Sequence, residues 1–232
     1  MPLIKVGDAF PHSLEKPETL TVPLELAEPA ANNQLLLTVG TTNFDSLIEH
    51  LDKHRTQFFS LLIKRGFSAL VVQLGNTSRY LPSDIANWSV DPICVGKLTV
   101  HAFNLLPSLQ THLKSSSFVI CHAGAGSILD CLRLNKPLIT VVNSTLMDNH
   151  QQELAQHLAK LNYIYMANAS NLLDVFEKCS IEEPMDETQS PLSTVEILPP
   201  DHCIPPTYKL IKYPPPNPRL FIQILDQEMG FV

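Results

Sequence analysis

The sequence lacks both a long hydrophobic run and an excess of basic residues. In 232 residues, no stretch approaches the roughly 18 consecutive apolar residues of a spanning helix, and the first ten residues contain no continuous apolar segment like that of a signal peptide. Acidic residues outnumber basic ones by 23 to 16, so the sequence shows no basic footprint for neutralising nucleic-acid phosphates. We therefore expect a cytoplasmic protein that does not bind nucleic acid.

Cysteine is scarce, and the motifs of several enzyme classes are absent. The five cysteines are odd in number and show no paired spacing, which is typical of reduced thiols in a reducing compartment. There is no Gly-x-Ser-x-Gly elbow, no Gly-Lys-Ser/Thr phosphate loop and no Asp-x-Asp, and the nine histidines show no ligand pattern. We therefore expect neither a hydrolase of the elbow type nor a P-loop protein, and neither a metal ion nor a cofactor.

Proline indicates the domain boundaries, because it disfavours the interiors of helices and sheets. Of the 19 prolines, five lie near the amino terminus and ten lie after residue 180, which leaves four for the middle of the chain. We predict a loosely ordered N-terminal arm over residues 1–33, a folded domain over 34–179 and an acidic, proline-rich excursion over 180–216. An apolar stripe in residues 217–232 predicts a C-terminal amphipathic helix that packs on the domain or on a partner.

Short apolar runs alternate with segments of helical period in the middle of the chain, which favours βαβ units. Thr42 and Asp45 have the spacing of a capping box, while Gly66 and Asn135 are predicted to end helices. The predicted strands are 35–39, 69–74, 93–95, 98–101, 118–121, 138–142 and 163–166, and the predicted helices are 44–51, 58–66, 106–113, 127–133, 154–161 and 172–179. The fold class is therefore α/β, with a Rossmann-like, mainly parallel sheet and helices on both faces.

A glycine-rich turn follows the predicted strand that ends at Cys121. It runs His122-Ala123-Gly124-Ala125-Gly126, and Ser127 is predicted to open the next helix. Unpaired backbone N–H groups and the positive end of a helix dipole attract an anion at such a place. Because glycine has no Cβ, a phosphate can approach the backbone closely, and Ser127 can either cap the helix or donate to a phosphate oxygen. The other interpretation is a tight turn that needs glycine only for its dihedral angles.

Three further groups of polar residues lie at or near the predicted carboxyl ends of strands. Gly40, Thr41 and Thr42 repeat the strand-to-helix turn, with hydroxyls that can donate to a diphosphate or cap the helix. Asp130 lies one helical turn beyond Ser127, where it can reach a ribose or simply face solvent. Amides and a carboxylate in the third group suit sugar hydroxyls and an acetamido group, although one of them could serve only as a helix cap. That third group contains Asp148, Asn149, Gln151 and Gln152.

Two other functions fit parts of this pattern. A dinucleotide site needs Gly or Ala at the third glycine position and an acid at the end of the next strand, but Leu129 and Asn143 stand there. Adjacent Cys121 and His122 suggest a nucleophile and a base, but neighbours leaving a strand point in opposite directions. Both functions are therefore weakened by the residues themselves.

Three segments, Thr38–Thr42, His122–Ser127 and Leu146–Gln152, together resemble one family. They are similar to the soluble catalytic subunit, of a fungal kind, of the UDP-N-acetylglucosamine transferase that adds the second sugar to the lipid-linked oligosaccharide of asparagine-linked glycosylation. The resemblance covers roughly residues 35–179 and resumes at Tyr213. It implies the C-terminal, donor-binding half of a GT-B glycosyltransferase, similar to that of the bacterial enzyme that glycosylates the peptidoglycan lipid.

The resemblance also implies roles for individual residues. His122 through Ser127 would contact the diphosphate of UDP-N-acetylglucosamine, with His122 as the candidate catalytic donor to the leaving group; a neutral packing role is its alternative. Asp130 would contact the ribose, and the residues of the third polar group would contact the N-acetylglucosamine. Glu is commoner than Asp at position 130 in the wider superfamily, so this ribose contact would be longer or mediated by water.

The resemblance finally implies what lies outside the chain. A GT-B cleft has two Rossmann-like lobes, and the predicted domain provides one of them. A membrane-anchored subunit would supply the other lobe, bind the dolichol-linked acceptor and recruit this chain to the cytosolic face of the endoplasmic reticulum. Two alternatives stay open: a UDP-sugar-binding or scaffold protein without catalytic activity, and an NAD-dependent oxidoreductase.

Overall fold

A computed structural model describes residues 33–77, 93–143, 149–186 and 209–215 of the chain. Its centre is a seven-stranded sheet. The strands are β1 (Gln34–Thr38), β2 (Ala69–Gln73), β3 (Ile93–Val95), β4 (Leu98–Phe103), β5 (Ser116–His122), β6 (Leu138–Val142) and β7 (Tyr165–Asn168). Each predicted strand is therefore present, although β7 begins two residues later than its sequence pattern indicates.

The order of the strands is β3-β4-β2-β1-β5-β6-β7. All neighbouring pairs are parallel except β3 with β4. The chain builds the sheet outward from β1 in one direction and then crosses to β5 to build it in the other, which is the doubly wound arrangement of nucleotide-binding folds. The predicted mainly parallel, Rossmann-like sheet is confirmed.

Helices cover both faces of this sheet, as predicted. The helices are α1 (Asp45–Lys53), α2 (Arg55–Lys64), α3 (Gln110–Ser115), α4 (Ala125–Arg133), α5 (Asn149–Lys160) and α6 (Leu172–Lys178). Buried side chains of α1, α2 and α6 belong to one hydrophobic cluster, and those of α3, α4 and α5 to the other. Successive residues of β1 alternate between the two clusters, because neighbouring side chains of a strand point to opposite faces.

Aromatic rings fill the cluster under α2 and α6. Phe176 of α6 lies with its ring centroid 5.7 Å from that of Phe118, 6.1 Å from Phe67 and 6.3 Å from Phe58. Such edge and tilted arrangements are the favoured geometries of aromatic pairs. This cluster fixes β5 against α2 and α6 and so supports the strand that carries His122.

Two of the predicted helix ends are confirmed. After α2, Gly66 has φ +86 and Phe67 N–H donates to the Leu62 carbonyl over 3.0 Å. After α4, Asn135 has φ 51 and Lys136 N–H donates to the Cys131 carbonyl over 3.0 Å. Both ends need a residue in the left-handed region, which glycine and asparagine adopt at least cost.

The beginnings of two helices differ from the prediction. Phe44, not Thr42, is the N-cap of α1, and the Phe44 side chain makes no capping hydrogen bond. Asp45 N–H donates to Asn43 Oδ1 over 3.0 Å rather than to the Thr42 oxygen, so the predicted capping box is wrong. Helix α3 begins at Gln110 rather than near Pro107, which leaves a longer loop after β4.

Both described ends of the predicted excursion pack on the domain. Met185 and Ile211 form a parallel bridge, Leu210 is buried in the core, and Lys212 pairs with Asp186 at 3.1 Å. The low order predicted for residues 180–216 therefore does not hold at these two ends. The N-terminal arm before residue 33, residues 187–208 and the predicted C-terminal helix lie outside the described residues, and the domain boundaries stay predictions.

In the ranges that the structure describes, no helix has both the length and the apolar character needed to cross a bilayer.

Candidate functional site

The candidate site lies where the strand order reverses. β1 and β5 are neighbours, and the chain leaves their carboxyl ends towards opposite faces of the sheet, so a crevice opens between the two turns. A cavity of about 490 Å³ lies at this edge. It is lined by Gly40, Thr41, Gln73, Leu106, Pro107, Ser108, Leu109, Gln110, His122, Gly124, Gly126, Ser127 and Asp130.

Helix α4 begins directly at this cavity. Its N-cap is Gly124, whose extended backbone lets the Gly124 carbonyl accept from Ile128 N–H over 3.1 Å. The N–H groups of the first helical residues have no partner within the helix, so they are available to an anion. Gly126 and Ser127 therefore lie in the first turn of the helix, and the alternative that Ser127 caps the helix is wrong.

The His122 imidazole is held between two glycines. An added Cβ on Gly40 would lie 2.3 Å from His122 Cε1, and one on Gly124 would lie 2.2 Å from His122 Nε2. Side-chain carbon atoms essentially never come so close to other heavy atoms, so the ring position requires glycine on both sides. The two turns that the sequence predicted separately thus meet around one histidine.

The environment of His122 favours its neutral form. The residue is only 8% exposed, and its Nδ1 is the one buried side-chain nitrogen or oxygen without a hydrogen-bond partner in the described ranges. Burial lowers the pKa of His122 below the ordinary value of 6.5, and the backbone carbonyl of Thr38 opposes this shift in part. A neutral imidazole at the cavity wall can donate one hydrogen bond to a bound group.

The lowered pKa of His122 predicts that acid destabilises the fold. The unfolded chain binds a proton near pH 6.5 whereas the folded chain does not, so the free energy of unfolding falls as the pH drops below about 6.5. The variant His122→Gln should show a shallower fall between pH 7 and pH 5.5 in urea unfolding. His50 and His112, whose pKa values burial also lowers, contribute to the slope that remains. Identical slopes for the variant and the wild type would contradict a neutral His122.

Among the residues that the structure describes, Asp130 is the only charged one that lines the cavity. It lies on α4 one turn beyond Ser127 and is partly exposed. No lysine or arginine is among the lining residues in the described part of the chain. An anion bound here would therefore be held by neutral donors and the helix terminus rather than by a cation.

The remaining predicted residues are distributed unequally around the cavity. Gly40 and Thr41 line it, whereas the Thr42 hydroxyl donates a hydrogen bond to the Val39 carbonyl. Ala123 is buried in the core, and Ala125 begins α4 on the exposed side without lining the cavity. Their backbone positions remain part of the predicted phosphate turn.

The predicted sugar-binding group lies at the beginning of α5. Asn149, Gln151 and Gln152 belong to its first turn, and Asp148 lies outside the described residues. Neither glutamine lines the cavity. Because β5 and β6 are adjacent parallel strands, the N-termini of α4 and α5 lie at the same edge of the sheet. The sugar role of these four residues stays a prediction.

Two parts of the cavity wall were not predicted from the sequence. One is Gln73, a polar residue at the last position of a buried strand, and this pattern could have indicated a site. The other is the loop from Leu106 to Leu109, which the sequence assigned to the helix over 106–113. Nothing in its apolar pattern distinguishes a loop beside a cavity from the start of an amphipathic helix.

Cys121 and His122 do not form a pair of nucleophile and base. Cys121 is buried in the cluster beneath α4 together with Cys131, whereas His122 lines the cavity. A hydrogen bond that the Cys131 thiol donates to Cys121, together with burial, holds the pKa of Cys131 well above its usual range. In the described ranges, no group of three or more His, Cys, Asp or Glu side chains is placed to hold a metal ion.

The chain is similar to a known protein family and to several curated proteins. The family model described as "Glycosyltransferase family 28 C-terminal domain" matches residues 34–193. Three similar relatives are each called "UDP-N-acetylglucosamine transferase subunit ALG13". The Candida albicans protein is 32% identical over 56% of this chain and 54% of its own length. The Saccharomyces cerevisiae protein is 38% identical over 47% and 65%, and the Kluyveromyces lactis protein is 35% identical over 66% and 88%.

The chain thus spans about half to two thirds of the length of the first two of these relatives. An NMR structure of ALG13 is 31% identical, covers 58% of this chain and 77% of its own, and has a TM-score of 0.43. The crystal structure of Acinetobacter baumannii MurG is 18% identical, covers 63% and 39%, and has a TM-score of 0.47.

Proposed function

Because the chain belongs to the glycosyltransferase family 28 C-terminal domain family, we propose that it is the UDP-N-acetylglucosamine-binding catalytic subunit of an N-acetylglucosaminyltransferase. Membership of this family confirms the expected fold, the C-terminal half of a GT-B glycosyltransferase. One observation carries the proposal: the His122 ring lies between Gly40 and Gly124 at the start of α4, in a cavity at the point where the strand order reverses.

The diphosphate of the donor would lie at the N-terminus of α4. The free N–H groups of the first turn, the Ser127 hydroxyl and His122 are donors at this place. Such donors stabilise the charge that grows on departing UDP, and one well-placed donor contributes about 3 to 4 kcal/mol in comparable oxyanion sites. His122 would act as the catalytic donor to the leaving group.

The rest of the nucleotide sugar would extend along the cavity in both directions. Asp130 would accept hydrogen bonds from the ribose hydroxyls, and the apolar wall of Leu106, Pro107 and Leu109 suits the flat uracil ring. On the other side, the N-acetylglucosamine would meet the first turn of α5. There Asn149, Gln151 and Gln152 offer amides, and Asp148 offers a carboxylate just before the helix.

The complete reaction requires a second lobe. We propose that a membrane-anchored subunit binds a dolichyl diphosphate N-acetylglucosamine, and that the joined enzyme transfers the second sugar with inversion at the cytosolic face of the endoplasmic reticulum. The curated relatives are called subunits of a transferase, which supports an incomplete site in this chain. The catalytic base that activates the acceptor hydroxyl would then belong to the partner.

The ribose contact is tested by the variant Asp130→Ala. We expect UDP binding to weaken by about 1.5 to 3 kcal/mol, which is the usual contribution of a hydrogen bond to a charged group. Titration calorimetry with UDP measures this loss. Asp174→Ala on α6, which belongs to the opposite face of the sheet, is a matched control that should bind UDP as the wild type does. A folded Asp130→Ala variant with unchanged affinity would remove Asp130 from the site.

The function as a whole is tested by a transferase assay with radiolabelled UDP-N-acetylglucosamine. Three samples are compared: this chain, membranes that lack its counterpart, and the two combined. We expect product only in the combined sample. Activity of the chain alone would overturn the proposed half-enzyme. Binding of UDP-N-acetylglucosamine without product in any sample would favour the alternative of a UDP-sugar-binding or scaffold protein.

An NAD-dependent oxidoreductase is the second alternative, and the doubly wound strand order is the observation that favours it. Asn143 stands after β6, where a dinucleotide site has an acid for the ribose. Fluorescence titration with NADH separates the two functions. Saturable NADH binding that UDP does not displace would contradict the transferase.

A further inference from the structure

Two buried polar residues end neighbouring strands at the cavity. Thr38 is the last residue of β1 and Gln73 the last residue of β2, and the two are paired in the sheet register. They are only 2% and 3% exposed. By the alternation of their strands, both side chains lie on the face that carries α3 and α4. Gln73 therefore points towards the side on which the cavity lies.

The hydrogen bonds of this pair fix the orientation of the Gln73 amide. Gly40 N–H donates to Thr38 Oγ1 over 3.0 Å, and Thr38 Oγ1 in turn donates to Gln73 Oε1. Because the Gly40 N–H can only donate, Thr38 Oγ1 is the acceptor in that bond. The single hydroxyl proton of Thr38 is then donated to the Gln73 oxygen. The Gln73 oxygen thus faces Thr38, and its NH₂ group faces away.

The Gln73 NH₂ group is open to the cavity. Gln73 Nε2 makes no hydrogen bond within the described ranges. It is not a fully buried atom, because His122 Nδ1 is the only fully buried side-chain nitrogen or oxygen there that lacks a partner. Nε2 is therefore reached from the cavity that Gln73 lines. Placing an amide at the end of an otherwise apolar strand is costly unless something accepts from it. An amide that faces the cavity without a protein acceptor is available to donate to a bound molecule.

The charges around the cavity indicate which acceptor fits. The lining contains neutral donors and one acid but, within the described residues, no cation. A diphosphate in this cavity depends on neutral N–H and O–H donors, and its oxygens are acceptors only. Gln73 is joined through Thr38 to Gly40, which lies against the His122 ring. It therefore belongs to the same group of donors as His122.

We propose that Gln73 is a nucleotide-binding residue that donates through Nε2 to a diphosphate oxygen of the bound donor, and that Thr38 orients its amide. The inference rests on the proposed function, since it places UDP in the cavity. It adds a donor from β2 to those of the two turns after β1 and β5. It also gives the hydroxyl of Thr38 a role as a positioning group.

The variant Gln73→Met tests the contact, because methionine is unbranched and similar in length but cannot donate. UDP affinity should fall roughly tenfold or more, while the affinity for uridine, which has no phosphate, should stay unchanged. Titration calorimetry measures both ligands. Unchanged UDP affinity, or equal losses for UDP and uridine, would overturn the proposal.

The variant Gln34→Met is a matched control at the other end of the sheet. Gln34 is also a buried glutamine at a strand end, but its Nε2 donates to Ser116 Oγ over 2.9 Å, away from the cavity. This variant should lose stability in urea unfolding and keep wild-type UDP affinity. A loss of UDP affinity equal to that of Gln73→Met would show a general effect of buried polar groups and overturn the inference.

A second variant covers the possibility that Gln73→Met does not fold. Gln73→Glu keeps the length and the oxygen to which Thr38 donates, but it replaces the NH₂ group by an anionic oxygen that repels a phosphate. UDP affinity should fall further than in Gln73→Met, and wild-type affinity would overturn the proposal. If the wild type itself does not bind UDP, the proposed function fails together with the inference. If wild type and Gln34→Met bind UDP and both Gln73 variants bind equally well, only the inference fails.

Discussion

Replacing Gly40 by alanine is expected to lower the free energy of unfolding by about 2 to 4 kcal/mol and to abolish measurable UDP binding. Gly40 has φ +65, where an L-residue with a Cβ is strained by roughly 1 to 2 kcal/mol. Its new Cβ would also lie 2.3 Å from His122 Cε1, so the ring must leave its position between Gly40 and Gly124. Urea unfolding and calorimetry with UDP measure the two effects.

Gly96→Ala separates the strain from the clash. Gly96 has φ +62 in the turn between β3 and β4, but an added Cβ there meets nothing within 4 Å. This variant should lose only the roughly 1 to 2 kcal/mol of backbone strain and should bind UDP like the wild type. Equal stability of the two variants would mean that the His122 ring moves freely. That result would contradict a ring held between Gly40 and Gly124.

Gly124→Ala is expected to weaken UDP binding by at least tenfold and to destabilise the fold by about 1 to 3 kcal/mol. The backbone of Gly124 is extended, with φ -76, so alanine adopts it without strain. The effect comes from the added Cβ, which would lie 2.2 Å from His122 Nε2 and push the ring towards Gly40. A displaced imidazole can no longer donate to a diphosphate at the start of α4. Calorimetry with UDP and urea unfolding measure the two losses.

Gly126→Ala is the matched stability control, two residues further along the chain. An added Cβ on Gly126 meets nothing within 4 Å, and Gly126 lies in the first turn of α4. Its stability should therefore be unchanged or higher by up to about 1 kcal/mol, because alanine favours a helix over glycine. If Gly126→Ala destabilises the fold as much as Gly124→Ala does, the contact with His122 is not the reason.

The fold was largely predictable because its signals are local. The apolar runs of β3 and β6 have the same bounds in the structure as in the prediction. Gly66 and Asn135 end helices because a left-handed residue is needed there, and the sequence alone shows which residues tolerate it. The capping box of Thr42 and Asp45 failed because Phe44 is the N-cap and Asp45 N–H donates to Asn43 Oδ1. When two local hydrogen bonds are possible, the backbone geometry decides which one forms, and the spacing of residues in the sequence does not give that geometry.

The candidate site was predictable only in part. The turn from His122 to Gly126 is visible as a glycine pattern after a buried strand, and five of the predicted residues beyond position 120 line the cavity: His122, Gly124, Gly126, Ser127 and Asp130. Gln73 was missed because a single polar residue at a strand end has many explanations. The loop from Leu106 to Leu109 was missed because its apolar residues fit a helix as well as a cavity wall.

The sequence by itself determined where strands and helices form and which turn exposes free N–H groups, because hydrophobic period and glycine act over a few residues. Only the tertiary structure decided that β1 and β5, more than 70 residues apart in the chain, are neighbours with their turns at one edge. That pairing brings Gly40 against His122, and the separate pairing of β1 with β2 places Gln73 beside Thr38. Strand order depends on which faces of the whole sheet are buried, and no local pattern contains this information.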